Sequence, residues 1–127
     1  LLRVQDVMRT GQRLATVQPG GTVQDAIIAM TGCKSGAVAV VAADQTLAGI
    51  FTDGDLRRLL TRGGNVSDRA IDEVMTVDPV TVLDSELAID VVNVFQTHKI
   101  NDLIVLGQAH RVVGHIDIQD LPKLKIL

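Results

Sequence analysis

The chain matches itself. At an offset of 65, Thr16-Val17 falls on Thr81-Val82, Asp25 on Asp90, Lys34 on Lys99, and Val40 on Val105. Gly49 then falls on Gly114, Asp55-Leu56 on Asp120-Leu121, and Leu59 on Leu124. Upstream the offset becomes 67 and Val7-Met8 meets Val74-Met75, so the first copy carries two extra residues between Met8 and Thr16. Few positions are identical, but they keep their order and the hydrophobic pattern follows them. Self-similarity at such a period marks two copies of one supersecondary plan. The copies span 1–63 and 68–127 and join near Gly63-Gly64-Asn65. A unit of about 60 residues buries little surface alone, so the two are expected to share one core.

Each copy carries the same signals. A short lead-in ends in Val-Met, and an extended stretch follows, Leu14–Val17 or Val80–Leu83. Thr22 and Asp25 then fit a capping box, a hydroxyl followed three residues later by an acid. Val23, Ala26, Ile27 and Met30 follow at helical spacing, and Ala88, Val91, Val92 and Phe95 repeat it. This stripe predicts core packing. Cys33, the single cysteine, reads as a small buried hydrophobe on that helix and suits a reducing compartment. Val38–Ala43 and Leu103–Leu106 are continuous apolar runs, as buried strands show. Leu47–Thr52 and Val112–Asp117 follow after turns containing Asp44-Gln45 or Gln108-Ala109. A second helix is expected from Asp53–Asp55, turning Leu56, Leu59 and Leu60 inward and stopping at Gly63-Gly64. Its counterpart begins near Asp120, with Pro122 tolerated in the first turn. The order per copy is β-α-β-β-α.

Composition removes several function classes. Twelve Lys and Arg against fifteen Asp and Glu give a net charge of −3, which does not favour non-specific binding to nucleic acid. Both aromatic residues are Phe, so base stacking on Tyr or Trp is absent. The longest apolar run, Ala37–Ala43, is far short of the ~20 residues a membrane-spanning helix needs. The N-terminal Leu-Leu-Arg-Val-Gln-Asp lacks the anatomy of a signal peptide, and a cytoplasmic location is expected. With no initiator Met and a folded pattern from the first residues, the sequence reads as a piece of a longer chain. No nucleophile is paired with a base, so no catalytic constellation stands out.

The most informative stretch is Gly49-Ile-Phe-Thr-Asp-Gly-Asp-Leu56, where a strand ends and a helix begins. A helix N-terminus presents unpaired N–H groups that favour anions such as phosphate. Thr52 adds a hydroxyl, Gly54 permits close approach to the backbone, and the Asp55 carboxylate can accept from two vicinal hydroxyls, as on a ribose. The same residues also fit a plain helix cap, with Thr52 or Asp53 capping and Asp55 favouring the dipole.

The two β-α-β-β-α copies, the Val-Met lead-ins and the Gly-hydrophobic-x-Thr-x-x-Asp junction resemble a tandem pair of CBS domains, a Bateman module. Three strings, Leu1–Met8, Gly49–Arg58 and Ile71–Thr76, are similar to the C-terminal regulatory part of bacterial D-arabinose 5-phosphate isomerases. Those enzymes place a sugar isomerase (SIS) domain before a CBS pair and supply arabinose 5-phosphate for Kdo, a lipopolysaccharide sugar. The resemblance implies an α/β fold of pseudo-twofold symmetry, with sheets facing each other, helices outside, and a homodimer formed through the helices. It implies no required cofactor and a small-molecule effector, an AMP-, ADP- or ATP-like nucleotide or a nucleotide-activated sugar, bound in clefts between copies. Carried onto this chain, Thr52 would hold phosphate and Asp55 the ribose, with Asp53 between them among the ligand-binding residues. The base would lie against Leu14, Thr16 and Val17 and against Gly36, Ala37 and Val38, with Thr81 as the copy-two counterpart.

Copy two matches this site less well. Gly114 and Asp120 fit, but Asp117 stands where copy one has Thr52, and a carboxylate there repels phosphate. One competent anion site is expected, and one that is empty or takes an uncharged or cationic group. His98-Lys99 could reach phosphate in a neighbouring cleft or form a solvated helix end. His115-x-Asp117-x-x-Asp120 offers too few ligands for a good metal site and reads as a polar strand end. Arg57, Arg58 and Arg62 read as a solvated helix face, with Arg58 able to pair with an acid across a subunit contact. Two functions compete: a ligand-sensing regulatory module, and a structural oligomerisation module of the parent enzyme that binds no nucleotide.

Overall fold

A computed structural model of the chain describes residues 1–123. Leu124, the expected counterpart of Leu59, lies outside the described residues. The elements run α1 (Val4–Val7), β1 (Thr16–Val17), α2 (Val23–Cys33), β2 (Ala37–Val41), β3 (Leu47–Thr52) and α3 (Asp53–Arg62). They continue α4 (Ile71–Val74), β4 (Thr81–Leu83), α5 (Ala88–His98), β5 (Asp102–Leu106), β6 (Val112–Asp117) and α6 (Asp120–Lys123). The β-α-β-β-α order holds in both copies, and each lead-in forms one short helical turn.

The elements build two three-stranded mixed sheets, β1-β2-β3 and β4-β5-β6. In each, the first pair is parallel and the second antiparallel. All five residues of the central strand β2 are buried, which explains its uniformly apolar sequence. The antiparallel pairs slip register at equivalent places, Val40/Val41 and Val105/Leu106. Helix α2 starts on the expected capping box: Thr22 accepts from the Asp25 N–H, and Asp25 accepts from the Thr22 N–H. Val23, Ala26 and Met30 are buried in one core, and Ala88, Val91 and Phe95 in the other. Cys33 is half-buried on α2 against the first core, with a free thiol. Leu60 departs from expectation. Leu59 is buried and Leu56 half-buried, but Leu60, although one turn beyond Leu56, is 58% exposed.

The two compact units are out of step with the two copies. One is continuous, Gln12–Pro79; the other is in two pieces, Leu1–Gly11 and the chain from Val80. The Val-Met lead-in that precedes each copy therefore packs in the other copy's unit. Ile71 and Met75 lie with the core of β1, β2 and β3, and Val4 and Met8 with that of β4, β5 and β6. The matched glycines explain their own place in the repeat. A Cβ on Gly49 would stand 2.6 Å from the Met75 sulfur and 2.8 Å from the Thr76 carbonyl oxygen. A Cβ on Gly114 would collide with the Met8 sulfur in the same way.

A candidate ligand site and its altered twin

In the continuous unit the mixed sheet brings the start of β2 beside the end of β3. Ala37 is the register partner of Thr52, and Val38 of Phe51. The Asp53 N–H donates to the Gly36 carbonyl at 2.9 Å, which ties the strand–helix junction to the chain entering β2. Ala15 lies alongside, its carbonyl accepting from the Ala39 N–H at 3.0 Å. Leu14, Gly36, Ala37, Thr52 and Asp53 thus gather at one end of this sheet. Thr16 and Val17 lie further along β1, paired with Ala39 and Val40. Val38 is fully buried, Val17 and Leu14 are half-buried, and Thr16 is exposed.

The junction is closed by a reciprocal cap. The Thr52 N–H donates to Asp55 Oδ2 at 2.9 Å, and the Asp55 N–H donates to Thr52 Oγ1 at 3.3 Å. The Thr52 hydroxyl also donates to Asp55 Oδ2 at 3.1 Å. Arg58 Nη2 donates to Asp55 Oδ1 at 2.6 Å. Arg58 thus finds its acid one turn back on its own helix. Both oxygens of Asp55 are engaged, and its side chain is 18% exposed. Two hollows border the junction. One of about 400 Å³ is lined by Met30, Lys34, Gly36, Asp53 and Leu56, and one of about 170 Å³ by Asp55, Arg58, Arg62, Arg69 and Glu73.

The remaining expected residues belong to the two-piece unit. Thr81 begins β4 opposite Ile104 and is half-buried. His98 closes α5, and Lys99 caps it in a left-handed conformation at φ 54°, as Lys34 does for α2 at φ 53°. Both residues of the His98-Lys99 pair are exposed. The Ile118 N–H donates to the Asn101 carbonyl at 2.9 Å, the counterpart of Asp53 to Gly36. Asp117 and Asp120 stand at the equivalent junction, but their partners differ. Asp117 Oδ1 accepts from the Gln119 N–H at 2.9 Å. Asp120 takes a fork of two bonds from Arg9, Nε to Oδ2 at 2.7 Å and Nη2 to Oδ1 at 2.9 Å. Arg9 Nη2 also lies 3.7 Å from Asp117.

Beneath this pair, His115 Nε2 lies 2.9 Å from Asp102 Oδ1, with the imidazole 1% exposed. Asp102 and Asp117 are register partners, two like charges placed opposite each other, where the continuous unit has Ala37 and Thr52. Arg9 and His115 offset that repulsion. The Asp120 hydrogen bonds hold the Arg9 guanidinium above its ordinary value against the opposing pull of burial, with the charges of Asp120, Asp117 and Asp102 adding to the effect. Arg9 and Asp102 were not among the residues the sequence pointed to. Arg9 is 111 residues from Asp120, and only its mismatch with Thr76 in the repeat marks it. Among the described residues, no group of three or more His, Cys, Asp or Glu side chains is placed to hold a metal ion. No described helix is long and apolar enough to cross a membrane.

Two three-stranded mixed sheets, each ending in a strand–helix junction that carries an Asp, define a tandem α/β repeat fold. The chain belongs to the CBS domain family, whose model matches residues 4–62 and 71–124. Among curated proteins it is similar to the CBS region of arabinose 5-phosphate isomerase KdsD. It is 36% identical to the Francisella tularensis enzyme over 126 residues, 99% of this chain and 38% of that one. It is 48% identical to the Pseudomonas aeruginosa enzyme over 82 residues, 65% of this chain and 25% of that one. The chain therefore spans well under half the length of these relatives. Among solved structures, the CBS domain protein PAE2072 from Pyrobaculum aerophilum, complexed with AMP, shares the fold at TM-score 0.85 and 17% identity, covering 94% of this chain and 90% of that one. The CBS domain pair of protein MJ0100, in complex with 5-methylthioadenosine and S-adenosyl-L-methionine, aligns at TM-score 0.86 and 22% identity, covering 98% and 96%.

Proposed function

We infer that the chain is a ligand-sensing regulatory module, non-catalytic in itself, and that the β3–α3 junction of its continuous unit takes an adenosine-type nucleotide or a nucleotide-activated sugar. The observation that carries this is the Thr52–Asp55 pair at the head of a ten-residue helix, with Gly36 and Ala37 beside it. Thr52 would meet the phosphate, Asp55 the ribose, and Leu14–Val17 with Gly36–Val38 the base, while Asp53, its N–H held by the Gly36 carbonyl, lines the hollow beside them. To accept a ribose, Asp55 Oδ1 releases Arg58, whose side chain is 66% exposed and finds water at little cost. The Thr52 hydroxyl turns its proton from Asp55 to phosphate. The fold-sharing proteins with adenosine-type ligands support this ligand class. Similarity to KdsD supports a parent D-arabinose 5-phosphate isomerase of the Kdo route, in the cytoplasm, with a SIS domain supplying catalysis. The effector regulates by binding one arrangement of the module better than another.

The test is thermal unfolding of the chain against adenine, guanine and cytidine nucleotides, sugar phosphates, and Kdo with its nucleotide-activated form. Circular dichroism reports it, since the chain has no Trp or Tyr. A ligand at a hundred times its Kd stabilises by about 2.7 kcal/mol, a shift of several degrees. The shift is expected to vanish in Asp55→Ala. A flat response across the panel rejects the nucleotide site and leaves the second reading, an oligomerisation module. Exposed Ile28 (62%) and Leu60 (58%), on helices α2 and α3, favour that reading as contacts for a homodimer. Sedimentation of an Ile28→Ser, Leu60→Ser variant decides it: a weight unchanged from the parent chain removes these residues from any interface.

A further inference from the structure

We propose that Arg9 is a built-in occupant of the second junction: its guanidinium takes the place at Asp117 and Asp120 that a nucleotide takes at Thr52 and Asp55, so each chain binds one nucleotide. This rests on the site assigned above to the continuous unit.

The two junctions share their backbone pattern. Thr76 exchanges both backbone hydrogen bonds with Ile50, at 2.8 and 3.0 Å, and Arg9 does the same with His115, at 2.8 and 3.1 Å. Arg9 and Thr76 therefore hold equivalent places beside equivalent strands. Only Arg9 carries a side chain long enough to reach the helix-head carboxylate. A vicinal diol offers a carboxylate two hydrogen-bond donors. A guanidinium offers two donors in a rigid fork and adds a full charge, so it is the stronger partner. The pairing is buried, with side chains 10% and 12% exposed, where breaking one partner away leaves an uncompensated charge. Asp102, Asp117 and Asp120 also set three carboxylates against any phosphate entering there. The two departures of the second junction from the first, Arg9 for Thr76 and Asp117 for Thr52, complement each other. One supplies a cation and the other an anion beside it.

The experiment is calorimetric titration of AMP into the chain, Asp55→Ala, the double variant Arg9→Thr, Asp117→Thr, and the triple variant that adds Asp55→Ala. The expected counts per chain are one, none, two and one. Two sites in the parent chain, or one surviving in Asp55→Ala, overturns the proposal. So does a folded double variant whose count stays at the parent value. If the double variant does not fold, the parent chain and Asp55→Ala decide alone. If the parent chain binds no AMP, AMP is rejected as the ligand of the continuous unit. The triple variant then decides the role of Arg9: a newly gained site upholds occupancy by Arg9, and none overturns it.

Discussion

Arg9 and Thr76 are structural equivalents that do opposite things. Each pairs by two backbone hydrogen bonds with the strand before a helix-head aspartate, but Arg9 also grips that aspartate and Thr76 leaves it to its own cap. On the proposal above, this difference decides which junction stays open to a ligand.

Arg9→Met strips a buried carboxylate of its partner. Urea unfolding is expected to show a loss of about 3–5 kcal/mol, with much of it recovered by adding Asp120→Leu. A loss below about 1 kcal/mol would mean that water already reaches Asp120. The sign with pH is fixed by the raised ionisation of Arg9. The stability its bridge adds is full below the unfolded arginine value and is lost only as pH rises through the still higher folded one. The gap between parent chain and variant is therefore expected to stay flat from neutral to mildly alkaline pH.

Gly49→Ala places a methyl group against the Met75 sulfur and the Thr76 carbonyl. The methionine can shift, but the carbonyl is held in the pairing with Ile50. Overpacking of this kind costs about 1–3 kcal/mol, and Met75→Ala is expected to relieve only part of it. Full recovery in the double variant, measured by thermal or urea unfolding, contradicts the backbone contribution.

Arg58→Gln removes a pair between a largely exposed cation and Asp55. Stability is expected to change by less than about 0.5 kcal/mol. Nucleotide affinity is expected to stay level or rise, because the ribose no longer displaces Arg58 from Oδ1. A drop of more than about threefold in a binding titration, two-thirds of a kcal/mol, places Arg58 on the ligand instead.

Asp117→Thr alone restores the threonine of copy one but leaves the Arg9–Asp120 fork in place. No second nucleotide is expected in equilibrium dialysis. A second bound nucleotide shows that Arg9 yields without help.

Much of this molecule was legible along the chain. The stripes on α2 and α5 follow from spacing alone, because one face of each helix meets a core. The Thr52–Asp55 cap follows from a three-residue interval that local geometry enforces. The partners of Asp120 and His115 were not legible, because periodicity says nothing about contacts between residues 9 and 120 or between strands 13 residues apart. Leu60 misled for a simpler reason: being apolar, it reads inward, yet single exposed leucines are ordinary on protein surfaces. The paired mismatches, Arg9 against Thr76 and Asp117 against Thr52, were the one trace the sequence carried of the altered junction.

The exchange of lead-ins separates what was duplicated from what folds. Cutting the chain at the join between copies strands each Val-Met turn with the wrong half, and exposes the face it covers on Gly49 or Gly114. A self-sufficient half of the two-piece kind needs its pieces spliced in reverse order, the segment from Val80 leading into Leu1–Gly11. An isolated repeat completes its core either as a circular permutant of the present copy or by trading lead-in turns with a second chain.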